Sequence, residues 1–267
     1  MKKALILLIL FGSLVFVSCQ KEESEGPAPL VVAMELQYPP FEMSDAEGNP
    51  SGVSVEIAKA LGEYLKRPVV IENTAWTGLI PSLQTGKADV ILSSMTITEE
   101  RAQVVDFSLP YIRAGLALLI SQKSDVESFA DLNSPGRVAA VKSGTIGANL
   151  ANAELPLAEV RVFEDVSACV LEVVQGKADA FIYDPLTVFE NNKNHPDTTR
   201  VNLAPIPGSE GDWGMAVKQG NQELLEQINS FILDFRKNGG FDRVASPFLG
   251  DIMTLFKENG IPFFFDL

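Results

Sequence analysis

The residues that follow one short apolar run have the chemistry of an anion site. The run ADVIL and the polar segment SSMTITEER after it occupy residues 88–101. Thr98 is an N-cap residue by type, and Glu99 and Glu100 suit the positive end of a helix that begins there. Where a capping box has Glu or Gln, the sequence has Arg101. A cation in the first turn destabilises the helix through its dipole, by between a few tenths of a kcal/mol and about 1 kcal/mol. We therefore expect Arg101 to have a functional role that offsets this cost.

A carboxylate is the expected partner of this arginine. A guanidinium group binds a carboxylate through two parallel hydrogen bonds. Hydroxyl and backbone N–H groups at the end of the predicted strand complete a candidate carboxylate site, and they belong to Ser93, Ser94 and Thr96. The alternative is a surface arginine that pairs with Glu99 or Asp106.

A lone acid follows a second apolar run, ADAFIY, at residues 178–183. Asp184 stands at the mouth of this predicted strand, where a carboxylate is a suitable partner for an ammonium group. It can also cap a helix that begins at Pro185, and the two roles are compatible. A free α-amino acid carries both charges, and burying either charge without a partner costs several kcal/mol. A closed site for an amino acid therefore needs both Arg101 and Asp184.

Both segments follow the same four residues, GKAD, which occupy 86–89 and 176–179. Each copy comes after an amphipathic run and before an apolar one, and this alternation continues along most of the chain. The pattern predicts an α/β protein of two similar units, each a mostly parallel sheet covered by helices. Four letters alone are weak evidence, because many α/β proteins use this turn. Ligands of open α/β sheets lie beyond the carboxyl ends of the strands, which is where Arg101 and Asp184 stand.

The N-terminal residues are expected to lie outside the folded body. Residues 1–18 contain two lysines and an apolar run, which is the pattern of a secretory signal, and Cys19 stands where a lipoprotein signal has its acylated cysteine. The alternative is ordinary cleavage nearby, with Cys19 lost. Residues 19–29 are mostly polar and are expected to form a flexible tether. The sequence thus predicts a protein of the cell envelope that a lipid anchor holds at the outer side of a membrane.

Composition and cysteine content exclude several classes of function. The chain has 21 basic and 35 acidic residues, and it contains no basic run, so a nucleic acid is a poor partner. Cys169 is the one cysteine after Cys19, and we expect it to be a buried apolar side chain. Metal-spaced Cys/His sets, a phosphate loop and a nucleophile elbow are missing from the sequence. We therefore expect no metal, no cofactor and a monomer.

Six motifs resemble the polar amino-acid-binding proteins of bacterial ABC importers, whose two-lobed fold is shared by the ligand cores of glutamate receptors. The motifs are YPPFEM, SGVSVEIAKAL, LIPSLQTGKADVILSSMTITEERAQVVDFSLPY, AAVKSGT, GKADAFIYD and WGMAVKQGN. The resemblance implies a type II periplasmic binding protein-like fold. Lobe 1 would comprise residues 30–112 and 212–267, and lobe 2 residues 113–211. A hinge of two segments would lie near Tyr111–Gly115 and Gly208–Trp213.

The resemblance also assigns roles to the charged residues of the site. Arg101 would hold the α-carboxylate of an amino acid, together with Ser94 and Thr96. Asp184 and the carbonyl group of Ser94 would hold the α-ammonium group.

Other residues would surround the side chain of the ligand. Tyr38 and Trp76 would form walls around it, unless they are ordinary core aromatics. Glu35 would face the far end of that side chain. The rim contributed by the second lobe would consist of Lys142, Thr145 and Ile146.

Three features depart from the usual pattern of the family. The family often has an aromatic residue and Asp after Gly52, where this chain has Val53 and Ser54, and we expect this change to affect helix packing more than the ligand. Ser94 stands where glycine is frequent. The C-terminal segment PFFFDL is unusual, and an extra surface contact is one interpretation of it.

The resemblance implies a binding protein that performs no chemistry. A free polar L-amino acid would bind between the lobes, the lobes would close about the hinge, and the closed protein would dock on an ABC permease. Glu35 alone favours arginine or lysine as the ligand, whereas Glu35 with Lys142 suits an amide, so we favour glutamine and then the basic amino acids.

Two other functions compete with amino-acid binding. A secreted cyclohexadienyl dehydratase on the same fold would need a general acid, for which Glu35 is the candidate. The input domain of a sensor receptor would need a membrane span, and no apolar run of about 18 residues follows Cys19.

Overall fold

The structure of the protein is a computed structural model that describes residues 26–258 and Phe265. The predicted signal, Cys19 and most of the predicted tether lie outside the described residues, as does the PFFFDL segment apart from Phe265. None of the helices in the described part of the chain is both long and apolar enough to cross a membrane.

The described residues form twelve strands and eight α-helices. The strands are β1 (Leu30–Met34), β2 (Met43–Ser44), β3 (Pro50–Ser51), β4 (Val69–Asn73), β5 (Val90–Ile91), β6 (Val105–Ala114), β7 (Ala117–Ser121), β8 (Val138–Lys142), β9 (Glu159–Phe163), β10 (Ala180–Tyr183), β11 (Thr199–Asn202) and β12 (Gly211–Lys218). The helices are α1 (Val53–Leu65), α2 (Leu79–Gln84), α3 (Glu99–Ala102), α4 (Ile146–Glu154), α5 (Val166–Val174), α6 (Pro185–Asn194), α7 (Gln222–Lys237) and α8 (Gly240–Glu258).

Two five-stranded sheets form the centres of the two lobes in the described part of the chain. The first has the order β4-β1-β5-β12-β6 and the second the order β11-β7-β10-β8-β9. In the first sheet β12 is antiparallel to both of its neighbours, and in the second sheet β7 is antiparallel to both of its neighbours. In each sheet the other four strands run in one direction, so both sheets are mostly parallel, as predicted. The local apolar pattern does not show the one antiparallel strand, because its direction depends on how the chain passes between the sheets.

Apolar side chains from the helices cover both sheets. Val53, Ile57 and Leu61 of α1 lie four residues apart along one face of the helix and are fully buried in the same cluster as β1. Burying a side chain of this kind stabilises a protein by about 1.5–3 kcal/mol. In the second lobe, alternate residues of β7 pack with α4 on one face and with α5 and α6 on the other. Cys169 of α5 is fully buried, as predicted.

The GKAD segments form the same joint in both sheets. Gly86 and Gly176 follow α2 and α5 with φ angles of 74° and 72°, a left-handed conformation that glycine adopts without steric cost. The carboxylate of Asp89 then accepts hydrogen bonds from the backbone N–H of Val31 at 3.0 Å and from Arg67 at 3.1 Å. These bonds fix the amino end of β5 beside the amino end of β1.

The second copy repeats these bonds with equivalent partners. Asp179 accepts a hydrogen bond from the backbone N–H of Val138 at 2.8 Å and one from Arg137 at 3.2 Å. Each GKAD segment therefore lies at the amino end of its strand, β5 or β10. The segments that follow these two strands differ in sequence and lie at the carboxyl ends.

The last residues of the predicted tether are held in place. Arg67 donates hydrogen bonds to the carbonyl groups of Ala28 and Pro29, both at 2.9 Å. The last two residues of the predicted tether therefore contact the folded body, and the flexibility of the tether remains a prediction.

Two chain segments connect the sheets, as predicted for a hinge. β6 and β12 pair along their length, and Arg113 and Asp212 form a two-pronged ion pair with N–O distances of 2.7 and 3.0 Å. Beyond the strands, the backbone N–H of Leu116 donates to the hydroxyl group of Ser209 at 3.0 Å. The boundaries of the lobes remain a prediction.

One residue of the unusual C-terminal segment belongs to the core of the first lobe. Phe265 is buried, and its ring stacks on Phe241 of α8 with 5.2 Å between the ring centres. This contact is internal, whereas the sequence suggested a contact at the surface.

Candidate functional site

A cleft lies between the two lobes, where β1, β5, β8 and β10 end. The space in it measures about 590 Å³, including the part that is open to solvent. Most of the residues predicted for the site line this cleft. They are Glu35, Tyr38, Trp76, Ser93, Ser94, Thr96, Arg101, Thr145, Ile146 and Asp184. The exception among the predicted residues, all of which the structure describes, is Lys142.

Arg101 presents a guanidinium group that lacks a counter-charge. Its two terminal nitrogens donate to the carbonyl groups of Thr96 at 2.7 Å and Gly144 at 3.0 Å, and the group lies 5.3 Å from the centre of the Trp76 ring. No carboxylate among the described residues lies within 4.0 Å of it. Burial lowers the pKa of Arg101 to about 10, against the opposite effect of Glu100. These features are those of an anion site.

The helix start before Arg101 has the predicted geometry. The hydroxyl group of Thr98 accepts a hydrogen bond from the backbone N–H of Arg101 at 3.2 Å, so Thr98 is the N-cap of α3. The alternative partner Asp106 instead accepts from the backbone N–H of Gly220 at 2.8 Å. Arg101 also forms no ion pair with Glu99, so its side chain is available to the cleft.

The opposite wall of the cleft is the start of α4, from the second lobe. Thr145 caps this helix, because its hydroxyl group accepts from the backbone N–H of Ala148 at 3.3 Å. The N–H groups of Ile146 and Gly147 have no acceptor within the helix, and both residues line the cleft. They add the positive end of a helix dipole to the charge of Arg101. A Cβ atom on Gly147 would lie 2.9 Å from the carbonyl oxygen of Ile182, which explains the glycine.

Asp184 supplies the opposite charge. One carboxylate oxygen accepts from the backbone N–H of Thr187 at 2.9 Å and caps α6, as predicted. The other oxygen, Oδ2, is buried and accepts no hydrogen bond from any described residue. Burial raises the pKa of Asp184, and hydrogen bonds from Thr187, from the hydroxyl group of Tyr38 and from the backbone of Leu186 oppose the rise. An unpaired buried acceptor of this kind is costly unless a ligand supplies a donor.

Glu35 and Lys142 form an ion pair that joins the two lobes. The ammonium group of Lys142 donates to Oε2 of Glu35, and the two residues are 2% and 7% exposed. Oε1 of Glu35 accepts from the backbone N–H of Trp76 at 3.3 Å. Lys142 was predicted at the rim, but it lies behind Glu35, because its long stem is buried and its charge is neutralised there. This end of the cleft therefore presents an acceptor, the carboxylate of Glu35, and Lys142 neutralises its charge from behind.

Aromatic rings close the remaining side of the cleft. The ring of Tyr38 lies 5.6 Å from that of Phe41, and 5.9 Å from those of both Tyr183 and Trp213. Tyr183 and Trp213 also line the cleft, together with Tyr38 and Trp76.

The two serines at the end of β5 direct their hydroxyl groups into the protein. The hydroxyl oxygen of Ser93 accepts from the backbone N–H of Glu35 at 2.9 Å. The hydroxyl group of Ser94 donates to Glu42, at 2.9 and 3.0 Å from its two oxygens. The prediction that these hydroxyls serve a ligand carboxylate is therefore wrong for Ser94, whose backbone alone remains for the cleft. Ser54 also donates to Glu42. The serine at position 54 was expected to affect helix packing, but it also contacts a residue that holds Ser94 at the site.

A two-lobed fold with charges of both signs in one cleft matches a known family. The pattern of the bacterial extracellular solute-binding proteins, family 3, matches residues 30–251. The chain belongs to this family.

Individual relatives cover nearly the whole of this solute-binding protein. It is 29% identical to the ABC transporter glutamine-binding protein GlnH of Bacillus subtilis (strain 168), over 91% of this chain and 96% of the relative. An ancestral arginine-binding protein bound to glutamine has a TM-score of 0.76 at 32% identity, over 83% of this chain and 98% of that one. The ancestral amino acid-binding protein AncCDT-1, a precursor of cyclohexadienyl dehydratase, has a TM-score of 0.74 at 35% identity, over 82% and 94%. The predicted two-lobed fold is confirmed.

Gly147 and three further residues that belong to the site or support it, among the described residues, were not predicted from the sequence. Tyr183 directly precedes Asp184, and Trp213 lies in a motif that carried the family resemblance, so both had a signal in the sequence. Glu42 lies in the motif YPPFEM, but its contact with Ser94 links positions 52 residues apart and leaves no local pattern.

Proposed function

We propose that this solute-binding protein captures a free polar L-amino acid between its lobes and delivers it to an ABC permease. The observation that carries the proposal is the pair of unsatisfied charges in one cleft. Arg101 has no carboxylate partner among the described residues, and Oδ2 of Asp184 has no donor among them. An amino-acid zwitterion meets both needs at once.

The α-carboxylate of the ligand would be held from both lobes. Arg101 approaches it from the first lobe, and the N–H groups of Ile146 and Gly147 approach it from the second. Because each lobe supplies part of this site, ligand binding favours the closed arrangement of the lobes.

The α-ammonium group would lie between Asp184 and Ser94. Oδ2 of Asp184 accepts one of its hydrogen bonds, and the carbonyl group of Ser94 accepts another. Pairing a buried carboxylate with an ammonium group removes the cost of leaving either charge alone.

The side-chain end of the cleft favours an amide. The NH₂ group of glutamine can donate to Glu35, whose charge Lys142 already neutralises from behind. A cationic side chain would meet the charge of Lys142 beside that of Glu35, so arginine and lysine are the second candidates. The similar structure of an arginine-binding protein bound to glutamine supports an overlap between the two ligand classes.

The geometry favours binding over the dehydratase alternative. A general acid must present its carboxyl group to the substrate, and both oxygens of the candidate Glu35 already have donors, in Lys142 and in the backbone N–H of Trp76. An assay for turnover of prephenate would separate the two functions.

The proposal includes a lipid anchor at Cys19 and a position on the outer side of a membrane. The pattern of residues 1–19 supports it, and mass spectrometry of the membrane-extracted protein would detect the acylated cysteine. We further propose that the protein is a monomer and has no enzymatic activity.

A thermal-shift screen against the twenty amino acids tests the proposed function. An amino acid present at 100 times its Kd should stabilise the protein by about 2.7 kcal/mol. We expect glutamine to give the largest shift. A screen in which no amino acid stabilises the protein would refute the proposal.

A further inference from the structure

Ser94 has an unusual backbone conformation in the wall of the cleft. Its φ angle is 50°, in the left-handed region, and it lines the cleft between the lobes. The left-handed conformation costs about 1–2 kcal/mol for a residue with a side chain, and such costs are found at functional sites where the surroundings enforce them. Some other contact must therefore hold Ser94 in place.

The contact is with Glu42, a buried acid outside the cleft. Glu42 is 0% exposed, and both of its oxygens lie within hydrogen-bonding distance of the Ser94 hydroxyl, at 2.9 and 3.0 Å. The segment that carries Glu42 is fixed in turn, because its backbone pairs with that of Tyr38 through bonds of 2.7 and 2.9 Å. Ser94 is thus tied to a turn that itself lines the cleft.

A second serine meets the same carboxyl group. Ser54 and Ser94 both donate to Glu42. A glycine at position 94 would adopt the left-handed conformation without help. The serine needs an anchor, and Glu42 supplies it.

We propose that Glu42 is a positioning residue for ligand binding, which holds Ser94 in the conformation that directs its carbonyl group at the α-ammonium group of the amino acid. This inference rests on the proposed function. Burial raises the pKa of Glu42 to about 8, against the hydrogen bonds from Ser54 and Ser94, so the group can remain buried near neutral pH as an uncharged acid.

The Ser94→Ala and Ser94→Gly variants form a matched pair that tests the proposal. Both lose the hydroxyl group, but glycine keeps the left-handed conformation and alanine disfavours it. Titration calorimetry with L-glutamine, or with the amino acid that the screen selects, should give an alanine variant that binds about tenfold more weakly than the glycine variant, which is 1.4 kcal/mol. Equal affinities would overturn the proposal.

Variants of Glu42 test its part directly. Glu42→Met should weaken binding about tenfold in the wild-type background and less than twofold in the Ser94→Gly background. Glu42→Gln keeps an acceptor and should restore most of the affinity. An equal loss in both backgrounds would overturn the proposal, because Glu42 would then act by another route.

The outcomes separate this inference from the proposed function. Wild-type protein that binds no amino acid refutes the proposed function, whereas normal wild-type binding with equal Ser94 variants refutes the role of Glu42 alone. A binding stoichiometry near one in each variant excludes misfolding as the cause of a weaker Kd. If Glu42→Met does not fold, the comparison of Ser94→Ala with Ser94→Gly still tests the proposal.

Discussion

Arg101 and Asp184 belong to opposite lobes, line one cleft, and each lacks a counter-charge among the residues that the structure describes. The guanidinium group and the carboxylate lie too far apart to form an ion pair with each other. A zwitterionic ligand bound between the two groups would neutralise both charges. This explains why the protein buries both of them in one cleft.

Removing either charge should abolish binding without unfolding the protein. Arg101→Ala and Asp184→Asn should each weaken amino-acid binding more than about 100-fold, because the opposite charge of the ligand would be buried unpaired, at a cost of about 3–5 kcal/mol. Asparagine still caps α6, so the thermal stability of Asp184→Asn should stay near that of the wild type. Titration calorimetry measures the affinities. Arg161→Ala, which removes an arginine paired with Glu159, is the matched control and should bind normally.

Lys142 should set the preference among ligands. In Lys142→Met the carboxylate of Glu35 loses its ammonium partner, which should destabilise the unliganded protein by about 3 kcal/mol. A cationic ligand can replace that partner, so the ratio of the Kd for arginine to the Kd for glutamine should fall at least about tenfold. Calorimetry with both ligands checks this ratio. Lys177→Met removes an exposed lysine of the same lobe and should leave the ratio of the two Kd values unchanged. An unchanged ratio in Lys142→Met would contradict the prediction.

Glu42 should make stability depend on pH. Burial raises its pKa from 4.5 to about 8, so between these values the folded protein holds a proton that the unfolded chain has released. Its contribution is therefore fully favourable below pH 4.5 and is lost as the pH rises through 8, by on the order of a few kcal/mol. Urea unfolding from pH 5 to 9 should show the wild type losing stability relative to Glu42→Gln, which cannot ionise. Parallel curves for the two proteins would contradict this prediction.

The aspartate of the second GKAD segment should matter for stability and not for affinity. Asp179 holds the backbone N–H of Val138 and the side chains of Arg137 and Ser124 at the end of the sheet away from the cleft. Asp179→Ala leaves these donors unpaired, and we expect the free energy of unfolding to fall by about 1–3 kcal/mol. The Kd for the amino acid, measured below the melting range, should stay within twofold of the wild type. A large change in Kd would give the motif a functional role.

The sequence predicts the elements well because each element has a local cause. The cap at Thr98 and the cap at Asp184 each depend on residues within one turn, and both have the predicted geometry. The family resemblance likewise led to the two-lobed fold.

The errors concern contacts between distant parts of the chain. The direction of the one antiparallel strand in each sheet depends on the path between the lobes. The hydroxyl group of Ser94 turns toward Glu42, and Lys142 turns toward Glu35; these partners lie 52 and 107 residues away. A residue type shows that a hydrogen bond is possible, but tertiary packing decides which partner is present.

The cleft should bind both charged ends of an amino acid at once, and calorimetry with blocked ligands is the sharpest test of this. L-glutamine, N-acetyl-L-glutamine and the α-amide of L-glutamine share one side chain, and each derivative lacks one charge. We expect glutamine to bind and each blocked derivative to bind at least about 100-fold more weakly. A derivative that binds as tightly as the free amino acid would contradict it.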